Sequence, residues 1–125
     1  MGFEKIDVPE LPLPGQFSHV VRKGKMVFIS GQTADNEGAA GNLDPYAHAE
    51  RVFDYLEKAI KAAGGDLTDI VKINIFLTDL DQFPAILDWR PRFFNKPYPA
   101  ATTVVVNSMV RPELILEIEA IGILD

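Results

Sequence analysis

Apolar residues recur at helical spacing in one long segment of the chain, which predicts its best helix. Asp44 is a good N-cap, and Pro45 suits the first helical position, where its missing N–H is no loss. Gly64-Gly65 is expected to end the helix. His48 falls in the first turn, where the helix dipole disfavours a cation, so we expect a neutral surface or capping role. The apolar face comprises positions 49, 52, 53, 56, 59, 60 and 63.

Runs of β-branched and aliphatic residues predict five strands. They are residues 16–21, 26–29, 70–77, 99–106 and 113–121, the first two joined as a hairpin at Lys23-Gly24-Lys25. The proline-rich residues 1–15 are expected to form an extended arm, and residues 33–44 a loop or a short edge strand. The helix between the second and third strands indicates a crossover connection, which places both strands in one sheet.

A second helix is predicted at about residues 81–95. Pro91 lies inside it and removes a backbone hydrogen bond at a cost of about 3 kcal/mol, so we expect a kink or a break around Trp89-Arg90. Trp89 is the only tryptophan. It either packs in the core or an interface, or forms an aromatic wall of a ligand site.

The element order β-β-α-β-α-β-β predicts an α+β fold with a single sheet and both helices on one face. The chain is expected to form one domain over residues 1–125. In the strand at 99–106, Val104 and Val106 point to one side and Thr103 and Val105 to the other, so neither face is polar. This pattern predicts burial on both sides, and therefore a chain that is not a monomer.

Composition narrows the range of functions. The 125 residues carry a net charge of −6 and no cysteine, which argues against unspecific nucleic-acid binding and leaves no thiolate nucleophile or sulfur ligand. His19 and His48 have no metal-site spacing, so we expect no metal. No apolar run reaches the roughly 20 residues of a membrane span, and no secretory signal is recognisable. We expect a cytoplasmic protein.

Two carboxylates interrupt the last strand. Glu117 and Glu119 are two residues apart and therefore point to the same face. A carboxylate in an apolar strand is costly unless it is solvated, paired or hydrogen-bonded. There are two explanations. In the first, both glutamates lie on a solvated face or pair with a Lys or Arg of a neighbouring strand. In the second, one of them lies in a cleft as a general base.

Six short motifs, in order along nearly the whole chain, resemble those of the RidA (YjgF) family. They are Ser30-Gly31-Gln32, Ala62-Ala63-Gly64, Asp69-Ile70-Val71-Lys72, Phe76-Leu77-Thr78-Asp79-Leu80, Pro99-Ala100 and Glu117-Ile118-Glu119-Ala120-Ile121. The resemblance implies a homotrimer whose sheets pack inward, with three clefts between subunits. It also implies cofactor-independent chemistry, in which water adds to the C=N bond of a small imine or enamine acid such as 2-aminoacrylate and ammonia leaves.

The resemblance also implies roles for individual residues. Glu117 matches the water-orienting carboxylate, a general acid/base, and Thr103 stands at a position often held by cysteine, where its hydroxyl could assist. Ser30 and Gly31 match the segment lining the cleft mouth. Phe17 stands at a position where the family often has a tyrosine, so it would keep the aromatic wall of the cleft and lack the hydroxyl group. Independently of the resemblance, Trp89 remains the candidate aromatic wall on the second helix, with packing as the alternative.

The sequence departs from the family at the substrate anchor, because Ala101 stands where the family has an arginine. A guanidinium holds a carboxylate through two hydrogen bonds, and losing both costs about 3–6 kcal/mol, or about 10² to 10⁴ in kcat/KM. Arg90, Arg92 and Arg111 either replace this anchor or lie on the solvated surface.

Three functions remain open at this point. The chain could be a hydrolytic deaminase or related water-adding enzyme for a different small unsaturated amine, with weak or absent activity on 2-aminoacrylate. It could be a non-catalytic binder of small metabolites. It could be a protein-interaction trimer whose clefts are incidental. A Glu117 with a raised pKa inside a cleft favours catalysis, whereas one paired with a cation favours structure.

Overall fold

A computed structural model of the chain describes residues 2–35 and 39–125. Its main elements are β1 (Glu4–Ile6), β2 (Val20–Lys23), β3 (Met26–Gln32), α1 (Pro45–Ala62), β4 (Ile70–Leu77), α2 (Phe83–Phe93), β5 (Ala100–Val105) and β6 (Leu116–Ile123). Short 3₁₀ turns occupy Ala39–Asn42, Leu67–Asp69 and Leu80–Gln82. The predicted α+β fold with two helices and one sheet is confirmed, with one strand more than predicted.

The sheet is mixed, and its last strand lies inside it. The spatial order is β1-β2-β3-β6-β4-β5, so β6 pairs antiparallel with both β3 and β4, and β5 is a parallel edge strand beside β4. The strands before and after α1 share one sheet, as predicted, but β6 separates them. This central position holds Glu117 and Glu119 within the sheet rather than at its edge.

The core lies between α1 and one face of the sheet. All seven apolar positions predicted on α1 are buried, and they pack with the inward residues of the central strands. The inward residues of the sheet include Val27, Ile73, Ile75 and Ile118. At the start of α1, Asp44 Oδ1 accepts a hydrogen bond of 2.8 Å from the Ala47 amide, which confirms the predicted N-cap.

Two local predictions were wrong, and one of the two alternatives predicted for α2 is excluded. The first hairpin strand begins at Val20 rather than residue 16, and residues 4–6 of the arm pair with it as an extra edge strand. His48 is buried at 1% exposure rather than on the surface, because its position in the first turn faces inward. Of the kink or break expected around Trp89-Arg90, the break does not occur: α2 continues past Pro91, which lies in the last turn, and ends at Phe93. The predicted loop at 33–44 contains no strand in its described part, and residues 36–38 lie outside the described residues.

The sheet face opposite the helices carries large apolar side chains that remain exposed in the single chain. Phe28 and Val104 are 41% and 43% exposed, and both lie on this face. We call this surface the open face; it comprises Met26, Phe28, Phe76, Val104, Ile121 and Ile123. In the single chain this face is therefore an exposed apolar patch.

Candidate functional site

A bulge in β3 brings a glycine under a carboxylate. The register between β3 and β6 shifts between Ile29 and Gln32, so Ser30 and Gly31 leave the regular ladder. The Glu117 side chain lies across the bulge, and a Cβ placed on Gly31 would be 2.0 Å from Glu117 Oε2. Glycine is therefore required here for close approach, because any side chain would displace the carboxylate.

Beside this bulge is a cavity of about 380 Å³, which is within the size range of small-molecule sites. It lies where β3 ends and β6 begins. Four of the residues predicted to line a cleft meet in it. The full lining is Phe17, Ser30, Gly31, Thr33, Asp35, Val110, Arg111, Leu114 and Glu117.

Glu117 is a half-buried acid that lines this cavity. Burial raises the pKa of its carboxyl group, and the negative charge of Glu119 raises this pKa further. Among the residues that the structure describes, no cation forms an ion pair with Glu117. The pairing with a Lys or Arg of a neighbouring strand, one of the alternatives left by the sequence, is therefore not seen among the described residues. A carboxyl group whose pKa is raised holds its proton more readily than an exposed glutamate does, as a general acid/base requires.

A hydrogen-bond network fixes the segment that carries Phe17, whose ring forms an aromatic wall of the cavity. Ser30 Oγ donates to the Ser18 carbonyl at 2.6 Å. His19 Nε2 lies 2.6 Å from the Pro12 carbonyl, which can only accept, so this nitrogen carries the hydrogen. Nδ1 is left to accept from Gln32 Nε2 at 3.2 Å. The His19 ring contacts Phe17 edge-on, with the ring centroids 5.4 Å apart. The network therefore holds the aromatic wall beside the bulge.

Arg111 brings a guanidinium to the same cavity, but two carboxylates hold it there. Its Nη2 forms an ion pair with Asp35, and its Nε lies 2.9 Å from Glu113 Oε1. The hydrogen bond to Asp35, with the charges of both acids, raises the pKa of Arg111. Of the three arginines considered as replacement anchors, only this one lines the cavity.

The other two arginines lie on α2. Arg92 stacks over the Trp89 ring, 4.5 Å from its centroid, and Trp89 also contacts Phe93. Burial lowers the pKa of Arg90. Trp89 is half-buried against the core and does not line the cavity around Glu117, so its observed role in the single chain is packing.

Ala101 and Thr103 lie away from Glu117 within one chain. Thr103 is in register with Ile75, whose side chain is buried under the helices, whereas Glu117 is in register with Phe76 on the open face. Adjacent residues of a strand point to opposite faces. A single chain therefore cannot bring the Thr103 hydroxyl to the Glu117 carboxylate.

Four lining residues were not predicted from the sequence. Thr33 could have been found, because it lies two residues after Gly31. Asp35, Val110 and Leu114 lie in loops whose local sequence has no recognisable signal. The ion pair between Arg111 and Asp35 joins two of these segments across the cavity.

Neither a metal-binding cluster nor a membrane-spanning helix is found in the part of the chain that the structure describes. Residues 2–35 and 39–125 contain no cluster of three or more acidic or histidine side chains that could hold a metal ion. In the same part of the chain, no helix has the length and apolar character needed to cross a bilayer.

Comparison with known proteins gives consistent matches over the whole fold. The family model described as "Endoribonuclease L-PSP" matches residues 10–124. A 2-iminobutanoate/2-iminopropanoate deaminase from Dermatophagoides farinae is 34% identical over 125 residues, covering 96% of this chain and 95% of the relative. A Pseudomonas aeruginosa protein of unknown function has a structure with a TM-score of 0.90 at 33% identity, covering 99% of this chain and 94% of that one.

RidA from an Antarctic Psychrobacter has a similar structure, with a TM-score of 0.85 and 32% identity over 97% of this chain and 99% of that one. The family match covers most of the chain, and the relatives agree with it in both sequence and fold. The chain belongs to the RidA (YjgF) family.

Proposed function

We propose that the protein is a cofactor-independent deaminase that hydrolyses a small imine, enamine or related unsaturated amine in the cleft around Glu117. The observation that carries this proposal is the unpaired, half-buried Glu117 carboxyl group, whose pKa is raised, beside a cavity of about 380 Å³. Relatives from Dermatophagoides farinae and Capra hircus that carry the name 2-iminobutanoate/2-iminopropanoate deaminase support the reaction class at 34% and 30% identity.

The reaction needs one acid/base group and one water molecule. The Glu117 carboxylate takes one proton from water as the oxygen attacks the carbon of the C=N bond, and the protonated Glu117 then passes this proton to the nitrogen. The resulting carbinolamine then loses ammonia and leaves a carbonyl group. The raised pKa of Glu117 lets it serve as base in the first step and acid in the second. Gly31 keeps the carboxylate close to the cleft, and Phe17 shields one side from solvent.

We further propose that the working form is a homotrimer and that each cleft is completed by β5 of a neighbouring copy. The exposed apolar residues of the open face support assembly. β5 is an edge strand whose Ala101 and Thr103 cannot reach Glu117 of their own chain, so only another copy could supply the Thr103 hydroxyl.

Assembly is tested by Phe28→Arg, which places a charge on the open face. Light scattering should give three times the mass of one chain for the wild type and a smaller mass for the variant. Leu80→Arg is the control, because Leu80 is exposed outside the sheet and should not change the mass. A wild-type chain that elutes as a monomer contradicts the proposed assembly.

The activity is tested by ammonia release from freshly generated imines and enamines, with and without a carboxylate. Glu117→Gln should lower kcat/KM by about 10² to 10⁴ on any substrate that the wild type accepts. The wild type should be weak on 2-aminoacrylate, and Ala101→Arg should gain activity on it. A wild type as active on 2-aminoacrylate as its named deaminase relatives would refute the argument from Ala101.

A non-catalytic metabolite binder is the second candidate, because Ala101 leaves the family's anchor position without a guanidinium. This candidate predicts that ligands bind the cleft with no ammonia release, and that Glu117→Gln leaves binding intact. The RNA cleavage suggested by the family model's description is less well supported, since a net charge of −6 disfavours a phosphate backbone.

A further inference from the structure

Charged groups around the cavity are mostly acidic. Arg111 is the only cation among the described residues that line it, whereas Asp35 and Glu117 both line it as acids. Glu113 lies beside them and contacts Arg111. Three carboxylates and one guanidinium give this cluster a net charge of −2 when all are ionised, and of −1 when Glu117 is protonated.

Arg111 is already engaged by its own chain. It comes from the loop between β5 and β6, and Asp35 comes from the segment after β3, so their ion pair ties two loops across the cavity. Glu113 binds the Nε side of the same guanidinium at 2.9 Å. A carboxylate ligand would have to displace one of these acids to gain the two parallel hydrogen bonds that make arginine an anion anchor.

We propose that the cleft selects neutral or positively charged imines and discriminates against those that carry a carboxylate, because Asp35 and Glu113 neutralise Arg111. This inference rests on the proposed function and names its substrate class. An anion entering the cleft meets net negative charge, whereas a protonated imine is attracted by it. The same charge favours the iminium form, whose carbon is more readily attacked by water. Asp35 and Glu113 thus act as specificity-determining residues.

Binding of unreactive probes tests this selection separately from turnover. Propionate, propionamide and acetamidinium represent the anionic, neutral and cationic classes, and NMR titrations of the full chain at pH 7 and low salt give their affinities. The wild type should bind acetamidinium at least about 10-fold more tightly than propionate. Asp35→Asn combined with Glu113→Gln frees Arg111 and should tighten propionate binding by about 10- to 100-fold.

Two further variants keep the test decisive. Glu57→Gln is the matched control, because it removes an acid that pairs with Lys61 on α1 at 3.3 Å and should not change the preference. Arg111→Gln leaves both acids uncompensated and should tighten acetamidinium binding, which the loss of an anion anchor would not do, so it tests the inference even if the double variant fails to fold.

The possible outcomes separate the two proposals. A wild type that prefers acetamidinium but releases no ammonia from any imine refutes the proposed function and leaves the charge selection standing. If propionate binds as tightly as acetamidinium and Arg111→Gln abolishes that binding, Arg111 is an anion anchor and the inference is wrong. The inference is also wrong if no probe perturbs the Glu117 resonances.

Discussion

Gly31→Ala places one methyl group where the Glu117 carboxylate now lies. The added Cβ would be 2.0 Å from Oε2 and 2.7 Å from Cδ, whereas ordinary contact begins at about 3.4 Å. The carboxylate must therefore move by about 1.4 Å or more. The backbone of Gly31 is not in the left-handed region, so alanine can adopt it without strain.

The structure predicts a large effect on the site and a small one on stability. Moving the end of a flexible side chain costs about 0.5–1.5 kcal/mol, and replacing glycine with alanine returns about 0.4–1 kcal/mol through the unfolded chain. The free energy of unfolding should thus change by less than about 1 kcal/mol. A displacement of this size should lower kcat/KM by about 10²-fold. The pKa of Glu117 should fall toward its ordinary value as the carboxylate moves toward solvent.

Three measurements check this prediction: urea unfolding, ammonia release, and NMR titration of the Glu117 carboxyl carbon. Gly41→Ala is the control, because its Cβ would lie 3.5 Å from Glu113 Cβ, an ordinary contact. Activity and the pKa of Glu117 should stay at wild-type levels, and the free energy of unfolding should rise by no more than about 0.4–1 kcal/mol. If Gly31→Ala keeps both the activity and the raised pKa, the carboxylate does not depend on the glycine. A loss of several kcal/mol in stability would show that the bulge is needed for folding instead.

Two further predictions concern stability. Burial and the charge of Arg51 lower the pKa of His48 from 6.5 to about 4. Between pH 7 and pH 5 the unfolded chain therefore binds a proton at His48 that the folded chain does not. Lowering the pH from 7 to 5 should thus reduce the free energy of unfolding by about 1–2 kcal/mol. Urea titrations of His48→Leu should show most of that pH dependence gone, and an unchanged dependence would refute the assignment to His48. Asp44→Ala, which removes the cap on α1, should cost about 0.5–2 kcal/mol. Asp54→Asn removes a half-exposed ion pair with Lys58 and should lower the free energy of unfolding by less than about 1 kcal/mol. If Asp54→Asn destabilises the chain more than Asp44→Ala does, the capping argument is contradicted.

Local sequence was enough to predict the elements whose signals are local. Asp44 and Pro45 marked the start of α1, its apolar spacing predicted the buried face, and the limits of β4 were predicted as observed. The motifs around Ser30 and Glu117 pointed to the family, which the comparisons confirm. Capping, periodicity and strand propensity each depend on residues a few positions apart, so the chain alone carries them.

Tertiary structure decided which of these elements meet. β6 lies between β3 and β4, and this arrangement places Glu117 over Gly31 although 86 positions separate them in the sequence. The engagement of Arg111 by Asp35 likewise depends on two loops meeting across the cavity. No local pattern encodes these contacts, because they arise from the order of strands in the sheet and from the bulge in β3. The sequence thus determined the elements and the acid, while the fold determined the charge that surrounds it.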